Sequence, residues 1–112
     1  VEKRYRNATL VSARLLTGRQ HQLRAHTAAI GHPLLVDDFY GNASDFFVSS
    51  LKKRFNLKKG SVEVPIISRP TLHSREITFS HITKDRITIS ADYPKDFSAL
   101  LQVLDKYASS NQ

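Results

Sequence analysis

The sequence predicts an α+β domain, a mixed and largely antiparallel sheet with helices packed on it. Two observations carry that class. Apolar residues alternate with polar ones near the N-terminus and again beyond Pro70, which is the period of half-buried strands. Between and after these stretches, apolar residues recur at helical spacing. At 112 residues the chain has room for one small domain.

The elements follow in order. Tyr5 to Leu16 reads as a strand, with Val11, Ala13 and Leu15 on one side and Ser12 and Arg14 on the other. Thr17 and Gly18 punctuate it, and Gln20 to Ile30 reads as a helix with a narrow stripe at Leu23, Thr27 and Ile30. Gly31 and Pro33 form its stop. Leu34 to Val36 is an extended exit, and Asp37 to Asn42 a turn in which Gly41 and Asn42 suit positive φ. Residues 43–68 read as an exposed insertion with at most one short helix, hinted at by Phe47, Leu51 and Phe55, and a basic face from Lys52 to Lys59. "TLHSREITFSH" and "DRITISADY" then alternate as two strands around a hairpin turn at "ITKD". Lys95 to Tyr107 closes the chain as a helix, with Phe97, Leu100, Leu101, Leu104 and Tyr107 on one face and Pro94 at its start.

Composition narrows the function classes. A formal charge of +7 points to anionic partners, nucleic acid first among them. The absence of cysteine removes disulfides and thiolate metal sites, and suits a reducing compartment such as the cytoplasm. No apolar run reaches the length of a membrane span, and "VEKRYRNATL" lacks the pattern of a signal peptide. His21 and His26 stand five apart, off the same-face spacing of zinc-binding helices, so no metal site is expected. Ser12, Ser74 and Ser80 lack the glycine-flanked elbow of a hydrolase nucleophile.

Chemistry concentrates in "TGRQHQLRAH", where Arg19, His21, Arg24 and His26 fall within ten residues at a strand-to-helix junction. Outward-pointing amides at a helix start favour phosphate, and Gly18 permits close approach. The three-residue spacing sets His21 and Arg24 on one helix face. An anion site and a solvated basic face fit this pattern equally well.

The wider stretch "LLTGRQHQLRAHTAAIGHPLLVDDFYG" resembles a signature motif of the RluA-type pseudouridine synthases, T-G-R-(S/T)-H-Q-(I/L)-R-x-H followed by G-(H/Y)-P and G-D-x-x-Y-G. Thr17, Gly18, Arg19, His21, Gln22, Leu23, Arg24, His26, Gly31, His32, Pro33, Asp37, Tyr40 and Gly41 carry the match. "RPTLHSREITFSH" is similar to a second family motif through Arg69, Leu72, His73, Ile77, Phe79 and His81. Gln20, Val36 and Ile82 depart from the usual Ser/Thr, Gly and Pro.

This resemblance implies an RNA-modifying isomerase that turns uridine into pseudouridine in ribosomal or transfer RNA without metal or organic cofactor. It implies that residues 1–112 are the C-terminal portion of the catalytic domain, because the H-R-L-D-x-x-T-S-G motif with its catalytic aspartate is not in this sequence. By the same resemblance Arg24 is the catalytic-site arginine, partner of an aspartate this chain does not carry. Leu23 walls the base pocket, and Arg19, His21, Gln22 and His26 bind RNA. A half-domain of this kind is expected to self-associate or to pair with the missing N-terminal half. Two other readings are a non-catalytic RNA-binding module built on the same half-domain, and a basic protein of ribosomal type with no site.

Overall fold

A computed structural model describes residues 1–15, 21–41, 43–51, 60, 62–80 and 85–109. The class is α+β: among the described residues there are two α-helices and two small antiparallel ladders. β1 (Lys3–Arg4) pairs with β2 (Thr9–Leu10), and β3 (Glu76–Ser80) with β4 (Arg86–Ser90). Helix α1 spans Gln22–Ala29 and helix α2 Lys95–Tyr107. Among the described residues the sheet is thus two separate ladders, not one continuous surface.

Of the strand expected over Tyr5 to Leu16, only Thr9–Leu10 forms among the described residues, and Leu16 lies outside them. Val11 and Leu15 are exposed and outside any ladder. Alternation marks a face that burial could use, but strand structure needs a partner edge, and β1 offers only two residues. The hairpin beyond Pro70 forms in the expected place, with Glu76 opposite Ser90 and Ser80 opposite Arg86. Part of its expected "ITKD" turn lies outside the described residues, as do His81, Asn42 and the basic run 52–59.

α2 has the expected limits. Pro94 is its N-cap, Asp96 stands in the first turn and Lys106 in the last, each complementing the helix dipole. Phe97, Leu100 and Leu104 are buried, spaced to share one face. The core gathers Leu100, Leu104 and Ala108 with Tyr5, Val36, Phe46 and Ile67.

Phe46 and Ile67 correct the picture of an exposed excursion over 43–68. They form an antiparallel bridge and both are buried, so this segment is pinned to the core at two points. Val48–Ser50 contributes one short 3-10 turn. Gly31, at the exit of α1, has φ 84°, the left-handed conformation a helix stop asks of glycine. Gly41 does not adopt positive φ. Its requirement is space, since a Cβ there would lie 2.9 Å from the Asp37 carbonyl oxygen.

Candidate functional site

The two motif stretches meet through the backbone. Thr71 N–H donates to the Val36 carbonyl at 3.0 Å, and Val36 N–H donates to Thr71 Oγ1 at 3.2 Å. That pair seats the 37–41 turn on the second motif. An antiparallel bridge from Asp37 to Ala43 closes the turn's other end.

Inside the turn lies Asp37, with no solvent exposure. Arg24 reaches it from α1, Nε donating to Oδ2 at 2.9 Å and Nη2 to Oδ1 at 2.6 Å. Phe39 N–H and Tyr40 N–H also donate to Oδ1, each at 3.1 Å. Four donors around one carboxylate hold its pKa far below the ordinary range, the Arg24 hydrogen bonds contributing most and burial opposing them. Asp37 in turn raises the pKa of Arg24. The Arg24 side chain is 13% exposed, and its guanidinium carbon sits 5.4 Å from the Tyr40 ring centroid.

Arg24, expected to partner an acid from elsewhere, thus has an acid partner within this chain as well. Its guanidinium already holds Asp37 of the same chain. Sequence reading places Asp37 in a turn and in the motif match, and assigns it no partner. The available signal was turn chemistry, because Asp commonly binds the N–H two residues on, here that of Phe39.

His21 caps α1 from the left-handed region, with φ 55° and ψ 19°. It is a non-glycine residue where such a conformation is uncommon. Its ring lies near Phe39 and Tyr40, with centroids 6.3 and 5.7 Å away, and its Nδ1 is 3.4 Å from Tyr40 Oη. His21, Gln22, Leu23 and Arg24 line one side of an open cleft of about 2380 Å³. Arg69 and His73 line it as well. His26 is exposed and does not line the cleft, so α1 divides the expected set. Arg19 lies outside the described residues.

The second motif braces this cleft. Arg69 clamps Asp96 with Nε to Oδ2 at 2.7 Å and Nη2 to Oδ1 at 2.8 Å, fixing the start of α2. That arginine also holds the Asp96 carboxyl below its usual pKa. His73 Nε2 lies 2.9 Å from the Ala91 carbonyl, and its ring neighbours Tyr93 and Phe97, which stack at 5.0 Å. No group of three metal-ligating side chains gathers among the described residues, and no helix there is long and apolar enough to cross a membrane.

The chain is 35% identical over 112 residues to the ribosomal large subunit pseudouridine synthase C of Pasteurella multocida, covering 99% of this chain and 30% of that protein. It is homologous to the RluA-type pseudouridine synthases. The ribosomal large subunit pseudouridine synthase D of Haemophilus influenzae is 38% identical over 93% of this chain and 31% of its own length. RNA pseudouridine synthase 2, chloroplastic, of Arabidopsis thaliana is 36% identical over 87% of this chain and 24% of its own. The chain thus spans less than a third of the length of these relatives. No family model and no solved structure matches it.

Proposed function

We propose that this chain is the C-terminal portion of the catalytic domain of an RNA pseudouridine synthase, contributing the arginine side of the site. One observation carries the reading. Arg24 is locked by Asp37 at the first turn of α1 and lines an open cleft together with His21, Gln22 and Leu23. The names of the relatives in the RluA-type family support it.

Arg24 is the catalytic-site residue of this proposal. A guanidinium has five N–H donors, and Asp37 takes two of them. The second carboxylate is the catalytic aspartate of an H-R-L-D segment, which Arg24 keeps ionised beside the target uridine in spite of burial. A planar fork fixes the orientation of such an acid where a lysine would not. Leu23 walls the pocket for the flipped-out base. Arg19, His21 and Gln22 contact the RNA backbone, and His26, on the exposed side of α1, reaches RNA beyond the cleft.

The apolar face of the β3–β4 ladder packs against the part of the domain that carries the aspartate, or against a second copy. The cysteine-free, basic composition fits work on RNA in the cytoplasm.

The test is tritium release from 5-tritiated uridine in ribosomal or transfer RNA, with the product of the complete open reading frame. Turnover together with an in-frame H-R-L-D segment supports the proposal. RNA binding without any tritium release, and with no such segment, makes the chain a non-catalytic RNA-binding module.

A further inference from the structure

Phe39 is 73% exposed, at the tip of the turn that Asp37 organises. An exposed phenylalanine on a basic protein invites a reason, since burying it is worth about 1.5–3 kcal/mol and nothing among the described residues does so. Its surroundings supply one. The ring leans on Tyr40 at 4.7 Å and 65°, and His21 stands 6.3 Å away at 57°. Phe39 N–H is tied to Asp37 Oδ1, so the ring rides on a fixed backbone. The result is an open aromatic step whose Tyr40 ring lies 5.4 Å from the Arg24 guanidinium. An exposed apolar ring fixed next to cationic groups is the combination by which single-stranded RNA is held, because every base has a π-face and every nucleotide a phosphate.

We infer that Phe39, braced by Tyr40 and His21, is a stacking platform for an unpaired nucleobase of the bound RNA, one flanking the nucleotide in the cleft. This rests on the RNA reading above and adds a subsite outside the cleft, whose lining does not include Phe39. The ligand class is an unstacked base on a sugar–phosphate backbone, with no requirement for which base.

The chain has no tryptophan, so Phe39→Trp is its single indole reporter. The affinity of the full chain for a labelled decauridylate is measured by fluorescence anisotropy at one fixed salt concentration. Circular dichroism checks that Phe39→Ala, Phe39→Leu and Phe39→Trp retain the fold. The alanine and leucine variants should bind roughly tenfold more weakly, and the tryptophan variant like the parent. Its emission should be quenched by the decauridylate and not by inorganic polyphosphate. A leucine variant that binds as tightly as the parent, or an indole unaffected at saturating RNA, overturns the platform while leaving the RNA reading standing. A parent chain that does not bind the decauridylate overturns both.

Discussion

Arg24 and Asp37 are thirteen residues apart and meet in two parallel hydrogen bonds, 2.9 and 2.6 Å long. The pair ties α1 to the turn that follows it, and the acid's remaining contacts shape that turn. Replacing Asp37 with alanine removes the acceptor for four donors and leaves Arg24 beside an apolar gap. The expected cost is about 1.5–3 kcal/mol, the range for hydrogen bonds to a charged group. In a domain of this size that is a fall in Tm of roughly 10 °C, read by thermal circular dichroism. Arg24→Lys should behave more like a loss than a conservative change, because one ammonium cannot reproduce the two-pronged geometry.

The same pair sets a response to acid. Asp37 and Asp96 both titrate below the ordinary carboxyl value in the folded chain, each because an arginine donates two hydrogen bonds to it. The unfolded chain takes up protons first, near the ordinary value of 3.8, so stability rises with pH through this window. The contribution is complete above the unfolded value and is lost as pH falls toward the depressed folded values. Melting temperature should be level from pH 7 to about 5 and drop below about pH 4. Asp37→Asn should flatten that drop, and a variant as acid-sensitive as the parent would contradict the assignment.

Arg24 offers the sharpest test of the chemistry. In the product of the complete reading frame, Arg24→Ala should remove most tritium release, by 100-fold or more on the order expected when a transition-state electrostatic contact is lost. RNA affinity should change little, because surface cations supply most of it. Since the same change frees Asp37, the variant's melting curve is measured first. Near-parental turnover by a folded variant removes Arg24 from the mechanism.

Legibility in the sequence followed periodicity. α2 was readable to its last residue because Pro94 and a five-member apolar stripe both mark it. α1 was readable from Leu23 and from the stop at Gly31. The Tyr5–Leu16 strand was overread, because alternation signals a usable face and says nothing of whether a partner edge exists. Phe46 and Ile67 were missed as core because each belongs to a short apolar run, Phe46 to Val48 and Val64 to Ile67, that shows neither helical nor strand period. The cluster at residues 17–26 was visible as a cluster, but the pairing of its Arg24 with Asp37 was not. An aspartate in a turn looks the same whether it faces water or an arginine thirteen residues back.

Gly41 tests how tightly that acid is enclosed. Its N–H donates to the Asp37 carbonyl at 3.0 Å, and an added Cβ would meet the same oxygen at 2.9 Å. Backbone cannot swing aside as a flexible side chain does, so Gly41→Ala should destabilise by about 1–3 kcal/mol. Gly31→Ala meets no neighbour within 4 Å and should cost about 1–2 kcal/mol through its left-handed φ alone. Chemical denaturation separates the two mechanisms. Asparagine, which tolerates that φ, should recover stability at position 31 and not at position 41.

The β3–β4 ladder carries the last prediction. Ile77 faces Ile89 and Phe79 faces Ile87 across the strands, while Thr78 and Thr88 pair on the opposite face through hydroxyls 2.8 Å apart. Strand alternation therefore puts four apolar side chains on one side, and Ile77 and Ile89 are 59% and 54% exposed there. A two-stranded ladder whose apolar face and two edges are uncovered among the described residues is marginal alone and favours pairing. Sedimentation velocity of the chain should show association that grows with concentration, and Ile77→Thr with Ile89→Thr should suppress it while α2 stays folded. Adding the part of the domain that carries H-R-L-D should displace the self-associated form by covering the same face. A monomer at high concentration that also ignores that part would leave the apolar face without a role.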